Sequence, residues 1–349
     1  MQNYNYSNNY IGENEYYYQL QQAKKRERKA LSRNASKLGI LLLSYNLLTN
    51  LFVIVYYYLV YAYYNHSISL NYNVVLGYLR GQPELINSSL FSMLGNLFAV
   101  FFGLMVTMLI AMIPMNIDFT ELLSPRKGQV KQAVKWFPLC MTINISMSVM
   151  VSILSEALKS TGITVPDADF SITKPDTLTI VVQVLYIIFV GPVAEEIIYR
   201  GIILTLLKPF GKWLAVVVSA LVFGLMHGNI PQAVPAIAGA LVYGLVAIHC
   251  NSIIPSILIH IANNALASYM DFADVFGWPE QIYHICLIIT TLAGIYILFT
   301  RLYQLRIGKE ASGVLSTERK YLTVFTNGFM IIYLLLIIWN FISLFLMAN

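Results

Sequence analysis

The sequence predicts an all-α fold, a polytopic transmembrane helical bundle with about eight or nine spanning helices. Three observations carry this prediction. The 349 residues are 58% hydrophobic and only 11% charged, whereas soluble domains usually carry about 25% charged residues. The apolar residues occur in long runs near the ~20 residues that a bilayer requires, and not in the short alternating segments of a transmembrane β-barrel. The basic residues lie mainly between these runs, as they do in the cytoplasmic loops of membrane proteins.

The chain begins with a polar, tyrosine-rich stretch, MQNYNYSNNYIGENEYYYQLQQ. It has no apolar segment of the kind found in a signal peptide, so residues 1–22 are predicted to be disordered or to form a loosely attached arm. The basic stretch at residues 24–37 follows, and it suits an anchor at the lipid headgroups. Residues 1–37 are therefore expected to precede the membrane part.

Nine apolar runs follow this N-terminal part, and each is predicted to form a spanning helix. They divide the rest of the chain into N-terminal transmembrane helices (38–176), a central core (177–272) and C-terminal transmembrane helices (273–349). The predicted spans are 38–64, 90–115, 136–158, 177–207, 213–231, 233–250, 253–272, 281–303 and 321–346.

The loop charges predict the orientation of the bundle. If the N-terminus is cytoplasmic, the basic segments 24–37, 116–135, 208–212 and 301–320 all lie on the cytoplasmic side, and the acidic segment 271–280 lies outside. A re-entrant segment between residues 207 and 255 would change this parity. The prediction is a multi-pass cell-membrane protein whose partner is the lipid bilayer and not a nucleic acid.

Charged residues inside the apolar runs are the most informative feature of the sequence. Between Thr177 and Leu207 the only ones are Glu195, Glu196 and Arg200. An ionised side chain at the centre of a spanning helix costs about 2.5–3.5 kcal/mol, so such groups are usually paired or functional. Glu196 and Arg200 are spaced i, i+4 and can form a pair on one helix face. Glu195 lies about 100° around the helix from Glu196, so one arginine cannot easily serve both carboxylates.

Two interpretations of this cluster stay open from these residues alone. A structural Glu–Arg ion pair could join two helices. Alternatively, a carboxylate without a full partner in a low-dielectric site could act as a general base or acid near neutral pH. The preceding Gly191-Pro192 favours the second interpretation, because a proline inside the helix would distort it just before the glutamates and admit water.

Two histidines in the following spans add to this cluster. His227 lies four residues after Phe223, and His260 lies four residues before Asn264, so each pair shares one helix face. A lone histidine in a membrane helix most often makes an interhelical hydrogen bond, but two of them near a Glu-Glu-Arg cluster favour a functional site. Asn263 points off the face of His260 and is expected to be structural.

Taken together, these motifs resemble those of the CAAX-protease and bacteriocin-processing family, also called the abortive-infection family, of intramembrane proteases. The motifs stand here as Glu195-Glu196-x-x-x-Arg200, Phe223-x-x-x-His227 and His260-x-x-x-Asn264, in the family's order. The resemblance covers about residues 177–270. It implies a helical-bundle peptidase that opens toward the cytoplasm.

The resemblance also implies a role for each motif residue. Glu195 and His227 would hold and activate the attacking water, and Glu196 with Arg200 would orient Glu195. His260 and Asn264 would polarise the scissile carbonyl and stabilise the oxyanion. No cofactor is expected, although zinc held by Glu195, His227 and His260 is an alternative; against zinc, the sequence has no His-Glu-x-x-His motif.

Three function classes follow for testing. The first is an intramembrane endopeptidase that cleaves a membrane-associated peptide or protein, such as a bacteriocin leader, a peptide signal or a CAAX-type tail. The second is a non-catalytic membrane scaffold or bacteriocin self-immunity protein that retains the protease fold. The third is a proton-coupled transporter that uses the glutamates and histidines as a relay, which the absence of a visible internal repeat disfavours.

Overall fold

The structure, a computed structural model, describes residues 6–166, 176–305, 307 and 313–349, with side chains from residue 14 onward. In these ranges the chain is helical and has no strand. Some of the residues of three predicted segments lie outside the described residues: 1–5 of the arm, 167–175 of the N-terminal transmembrane part, and 306 and 308–312 of the last basic block.

Fourteen helices account for nearly all of the described residues. They are α1 (Tyr6–Asn65), α2 (Tyr72–Arg80), α3 (Pro83–Ile86), α4 (Ser89–Met112), α5 (Thr120–Leu123), α6 (Gln129–Lys159), α7 (Thr177–Leu207), α8 (Lys212–Leu225), α9 (Ile230–Cys250), α10 (Ile254–Ala267), α11 (Tyr269–Phe276), α12 (Glu280–Thr300), α13 (Thr317–Phe325) and α14 (Gly328–Ala348).

The predicted helical bundle is confirmed. Seven of the described helices, α1, α4, α6, α7, α9, α12 and α14, are long and apolar enough to cross a membrane. The other two predicted spans correspond to α8 and α10, which are apolar but have only 14 residues each. At 1.5 Å per residue such a helix reaches about 21 Å, less than the ~30 Å hydrocarbon core of a bilayer.

The N-terminal segment differs from the prediction of a disordered arm. Residues from Tyr6 onward continue α1, which is 60 residues long. The stretch QLQQAKKRERKALSR consists almost entirely of good helix formers. Its later part is also fixed by tertiary contacts, since Leu31 is fully buried and the Asn34 side chain donates to the carbonyl oxygen of Leu206. The residues Tyr16, Tyr17 and Tyr18 remain more than 60% exposed.

The last predicted span is two helices and not one. Asn327 interrupts it, because its side chain accepts a hydrogen bond from the backbone N–H of Phe329 and thereby caps α14. Such a cap satisfies one of the donors that every helix N-terminus leaves free.

Helix α7 lies at the centre of the bundle. It contacts α1, α4, α8, α9 and α10. Helix α6 packs against α9, α10 and α12, while α1 packs against α4 and α14. A polar residue on the inner face of α7 is therefore enclosed by protein and not by lipid. This placement explains how a spanning helix can carry three charged side chains.

Candidate active site

The glutamates lie between two irregular stretches of α7. Residues Val184–Val190 and Ile197–Ile202 are π-helical, and Gly191–Glu196 between them is α-helical. The N–H of Gly191 bonds to the carbonyl oxygen of Tyr186, five residues back, and Pro192 has no N–H to donate. The distortion predicted at Gly191-Pro192 is thus present as a π-helical segment, which proteins often use at functional sites.

The predicted pair between Glu196 and Arg200 is confirmed. Arg200 Nη1 and Glu196 Oε1 are 2.9 Å apart, and both side chains are fully buried. The guanidinium also lies over the rings of Phe223, at 4.3 Å, and Tyr243, at 5.1 Å. These cation–π contacts stabilise a charge that no water reaches.

His260 joins the two glutamates. Its Nδ1 is 3.1 Å from Glu196 Oε1, and its Nε2 is 3.6 Å from Glu195 Oε2. The imidazole stacks on Tyr243 at 5.1 Å and meets the edge of Phe223 at 5.7 Å. The ring therefore packs against two aromatic side chains, its Nδ1 lies within hydrogen-bond distance of Glu196, and its Nε2 lies beyond that distance from Glu195.

Glu196 makes a contact that the family resemblance did not imply. In the structure it pairs with Arg200 and also contacts His260. Helical spacing predicted the first contact, but the second joins α7 to α10 and leaves no periodic signal in the sequence. The implied role of Glu196 and Arg200 in orienting Glu195 stays a prediction.

Glu195 is the most exposed member of this group. Its side chain is 21% exposed, whereas Glu196 and Arg200 are at 0% and His260 is at 6%. The Glu195 carboxylate is therefore partly accessible from outside the protein, while the three groups behind it are enclosed. A base that must take a proton from water needs this kind of access.

His227 lies at the end of α8, where Gly228 adopts a left-handed conformation (φ +74°) and Asn229 caps α9. Its Nδ1 lies 3.1 Å from the carbonyl oxygen of Phe223 and 3.2 Å from that of Gly224. A carbonyl oxygen can only accept, so the proton is assigned to Nδ1, and in the neutral imidazole Nε2 then keeps its lone pair.

The structure does not join His227 directly to Glu195: no hydrogen bond or ion pair connects these two described residues. The ring of Phe223 lies between the two histidines, 5.2 Å from that of His227 and 5.7 Å from that of His260. The phenylalanine of the second motif is thus a packing partner of both histidines and of Arg200.

Asn264 contacts α7 and not the glutamates. Its Nδ2 donates to the carbonyl oxygen of Ile187, at 2.9 Å, in the π-helical stretch before Glu195. One of its two N–H groups is therefore used inside the protein. The other is available to a ligand.

Three tyrosines near the site were not predicted. They are Tyr45 on α1 and Tyr186 and Tyr199 on α7, whose hydroxyl groups lie within electrostatic range of Glu195. Tyr45 lies far outside the motif region, and tyrosine is too frequent in this chain, with 24 copies, to single it out from sequence.

The alternative of a zinc site finds no ligand set in the described part of the chain. No three His, Cys, Asp or Glu side chains among these residues lie close enough together to hold one metal ion. Of the three residues that zinc would need, Glu195 and His260 are in contact, but the Phe223 ring lies between His260 and His227. They do not fit a tetrahedral zinc centre as they stand.

Comparison with known families confirms the resemblance. Residues 177–266 match the family described as type II CAAX prenyl endopeptidase Rce1-like. This segment contains all six predicted site residues, so the central part of the chain is similar to this family of membrane proteases. No curated protein and no solved structure matches the chain.

Proposed function

We propose that the protein is an intramembrane endopeptidase in which Glu195 activates the attacking water. The observation that supports this most is the arrangement around His260. A solvent-accessible carboxylate, Glu195, contacts one nitrogen of an imidazole whose other nitrogen contacts the buried Glu196–Arg200 pair. This arrangement supplies a base and a positioned proton donor next to each other.

In the proposed reaction, Glu195 takes a proton from water as the water oxygen attacks the carbonyl carbon of the scissile peptide bond. His227 contributes its unprotonated Nε2 as a second acceptor for this water. In this proposal His260 acts as the imidazolium, with Nδ1–H directed at Glu196, and the oxyanion that forms accepts hydrogen bonds from its Nε2–H and from the second N–H of Asn264. The carbon–nitrogen bond then breaks, and the proton held by Glu195 passes to the departing amine.

The proposed substrate is a membrane-associated peptide or protein, of which a bacteriocin leader, a peptide signal and a CAAX-type tail are examples. Burial of the site within the bundle supports this, because the scissile bond must reach side chains enclosed by α1, α4, α8, α9 and α10. We propose a mechanism without metal, since Glu195, His227 and His260 do not lie close enough together to bind one metal ion.

A cleavage assay tests this proposal. Purified protein in nanodiscs is incubated with a library of membrane-associated peptides, and the products are identified by mass spectrometry. Wild type and Glu195→Gln run side by side, each with and without a zinc chelator. We expect cleavage by wild type in both conditions and none by the variant.

Each other result has its own meaning. Cleavage that disappears with chelator would replace the metal-free mechanism by one in which Glu195, His227 and His260 are ligands. Cleavage by Glu195→Gln at the wild-type rate would refute the assignment of the base. Absence of cleavage by a folded wild-type protein across the library would instead favour the scaffold or self-immunity hypothesis.

A further inference from the structure

Three asparagine side chains form a continuous chain of hydrogen bonds that ends on the helix of the glutamates. Asn144 Nδ2 donates to Asn263 Oδ1 at 2.7 Å, and Asn263 Nδ2 donates to Asn264 Oδ1 at 3.2 Å. Asn264 Nδ2 in turn donates to the carbonyl oxygen of Ile187 at 2.9 Å. All three amides donate through nitrogen, and Asn263 and Asn264 also accept through oxygen, so the hydrogen bonds run in one direction, from α6 through α10 to α7.

The carbonyl oxygen of Ile187 has no donor within its own helix and needs the N–H of Asn264. In a helix, the carbonyl oxygen of Ile187 would accept from residue 191 or, in a π-helix, from residue 192. The N–H of Gly191 bonds to Tyr186 instead, and Pro192 has no N–H. The proline therefore leaves a backbone acceptor free inside the membrane part, where an unpaired carbonyl is costly, and Asn264 satisfies it.

Close packing fixes the position of Asn144, at the other end of this series of hydrogen bonds. A side chain at Gly239 on α9 would clash with Asn144 Oδ1, so the glycine makes room for the Asn144 amide. Asn144 Oδ1 is buried and has no hydrogen-bond partner among the described residues. Its Nδ2 is thus the end of the amide that is anchored, and it is anchored by Asn263.

We propose that Asn144 and Asn263 are positioning residues that fix the orientation of the Asn264 amide and, through it, the π-helical segment before Glu195. The inference rests on the proposed peptidase function for its effect on catalysis. If the hydrogen bond between Asn144 and Asn263 is lost, the Asn264 amide can rotate. Its oxygen can then turn toward the carbonyl oxygen of Ile187, and the two oxygens repel each other. Both N–H groups of Asn264 then leave their positions, the one on Ile187 and the one proposed for the oxyanion.

The structural part is tested by hydrogen–deuterium exchange on the full-length protein in nanodiscs. Asn144→Ala is compared with Asn96→Ala, which makes the same chemical change at an exposed position on α4. We expect faster deuterium uptake in peptides covering residues 184–196 for Asn144→Ala only. Unchanged uptake there in a folded Asn144→Ala protein, or the same increase in both variants, would overturn the proposal. This measurement needs no substrate, so it stands even if the peptidase function is wrong.

The catalytic part is tested with a peptide that the wild type cleaves. Losing one hydrogen bond of this kind is expected to lower kcat about 10-fold, with KM nearly unchanged. The double variant Asn144→Ala/Asn264→Ala should have the kcat of Asn264→Ala alone, because Asn144 acts only through Asn264. A double variant that loses the product of both single effects would show that Asn144 acts independently and would contradict the inference.

Discussion

Two glutamate–arginine pairs in this protein have almost the same length and opposite surroundings. Glu196 and Arg200 are 2.9 Å apart, and both side chains are fully buried in the bundle. Glu121 and Arg126 are 3.0 Å apart, with the side chains 75% and 36% exposed. Distance alone would rank the two pairs as equal.

Burial separates them. Water screens the charges of the exposed pair and solvates either side chain when the other is removed, so such pairs contribute little. The buried pair is shielded from solvent, and each charge there depends on its partner and on the aromatic rings around it. Loss of the Glu121–Arg126 pair should therefore destabilise the protein little, and loss of the Glu196–Arg200 pair should destabilise it strongly. The second pair lies beside the proposed base.

The largest effect is expected from Arg200→Ala. The substitution leaves Glu196 buried without its cation, so the free energy of unfolding should fall by about 3–5 kcal/mol. Thermal or denaturant unfolding in detergent measures this. The double variant Glu196→Gln/Arg200→Met should recover much of the loss, because no buried charge remains. Equal instability of the single and double variants would contradict the electrostatic explanation.

The next effect concerns activity. Glu196→Gln keeps the shape of the side chain but weakens its hold on His260, and misplacing a catalytic group can cost about 100-fold in rate. We expect kcat to fall on that scale while KM changes little. A change confined to KM would mean that Glu196 serves substrate binding instead.

A third pair lies between these extremes. Lys320 on α13 and Glu27 on α1 are 3.6 Å apart and 10% and 15% exposed, and Lys320 also donates to the carbonyl oxygen of Phe210. We expect Lys320→Ala to lower the free energy of unfolding by about 1.5–3 kcal/mol, the range for hydrogen bonds to charged groups. A loss as large as that of Arg200→Ala would show that burial does not determine how much each ion pair contributes to the free energy of unfolding.

The smallest effect is expected from Arg126→Ala. An exposed pair contributes about 0.2–1 kcal/mol, so unfolding and peptide cleavage should both stay close to wild type. A clear loss of cleavage would reveal a role for the predicted cytoplasmic loop that its exposure does not suggest.

The comparison also shows which contacts could be predicted from sequence. The i, i+4 spacing was enough for Glu196 and Arg200, and hydropathy located the apolar helices. The contact of His260 with both glutamates and the chain from Asn144 to Ile187 could not be predicted. They join different helices, and helical periodicity carries no information on which faces meet. The predicted cytoplasmic N-terminus depends on loop charges and stays a prediction.

The exposed pair also supplies the control for the most direct test of the central claim, that Glu195 is the base. Glu195→Gln and Glu121→Gln make the same chemical change, one at the site and one at the exposed pair, and kcat for peptide cleavage is measured for both. General base catalysis typically contributes 10²–10⁴-fold, so Glu195→Gln should lose at least about 100-fold while Glu121→Gln stays near wild type. Similar rates for two folded variants would contradict the account.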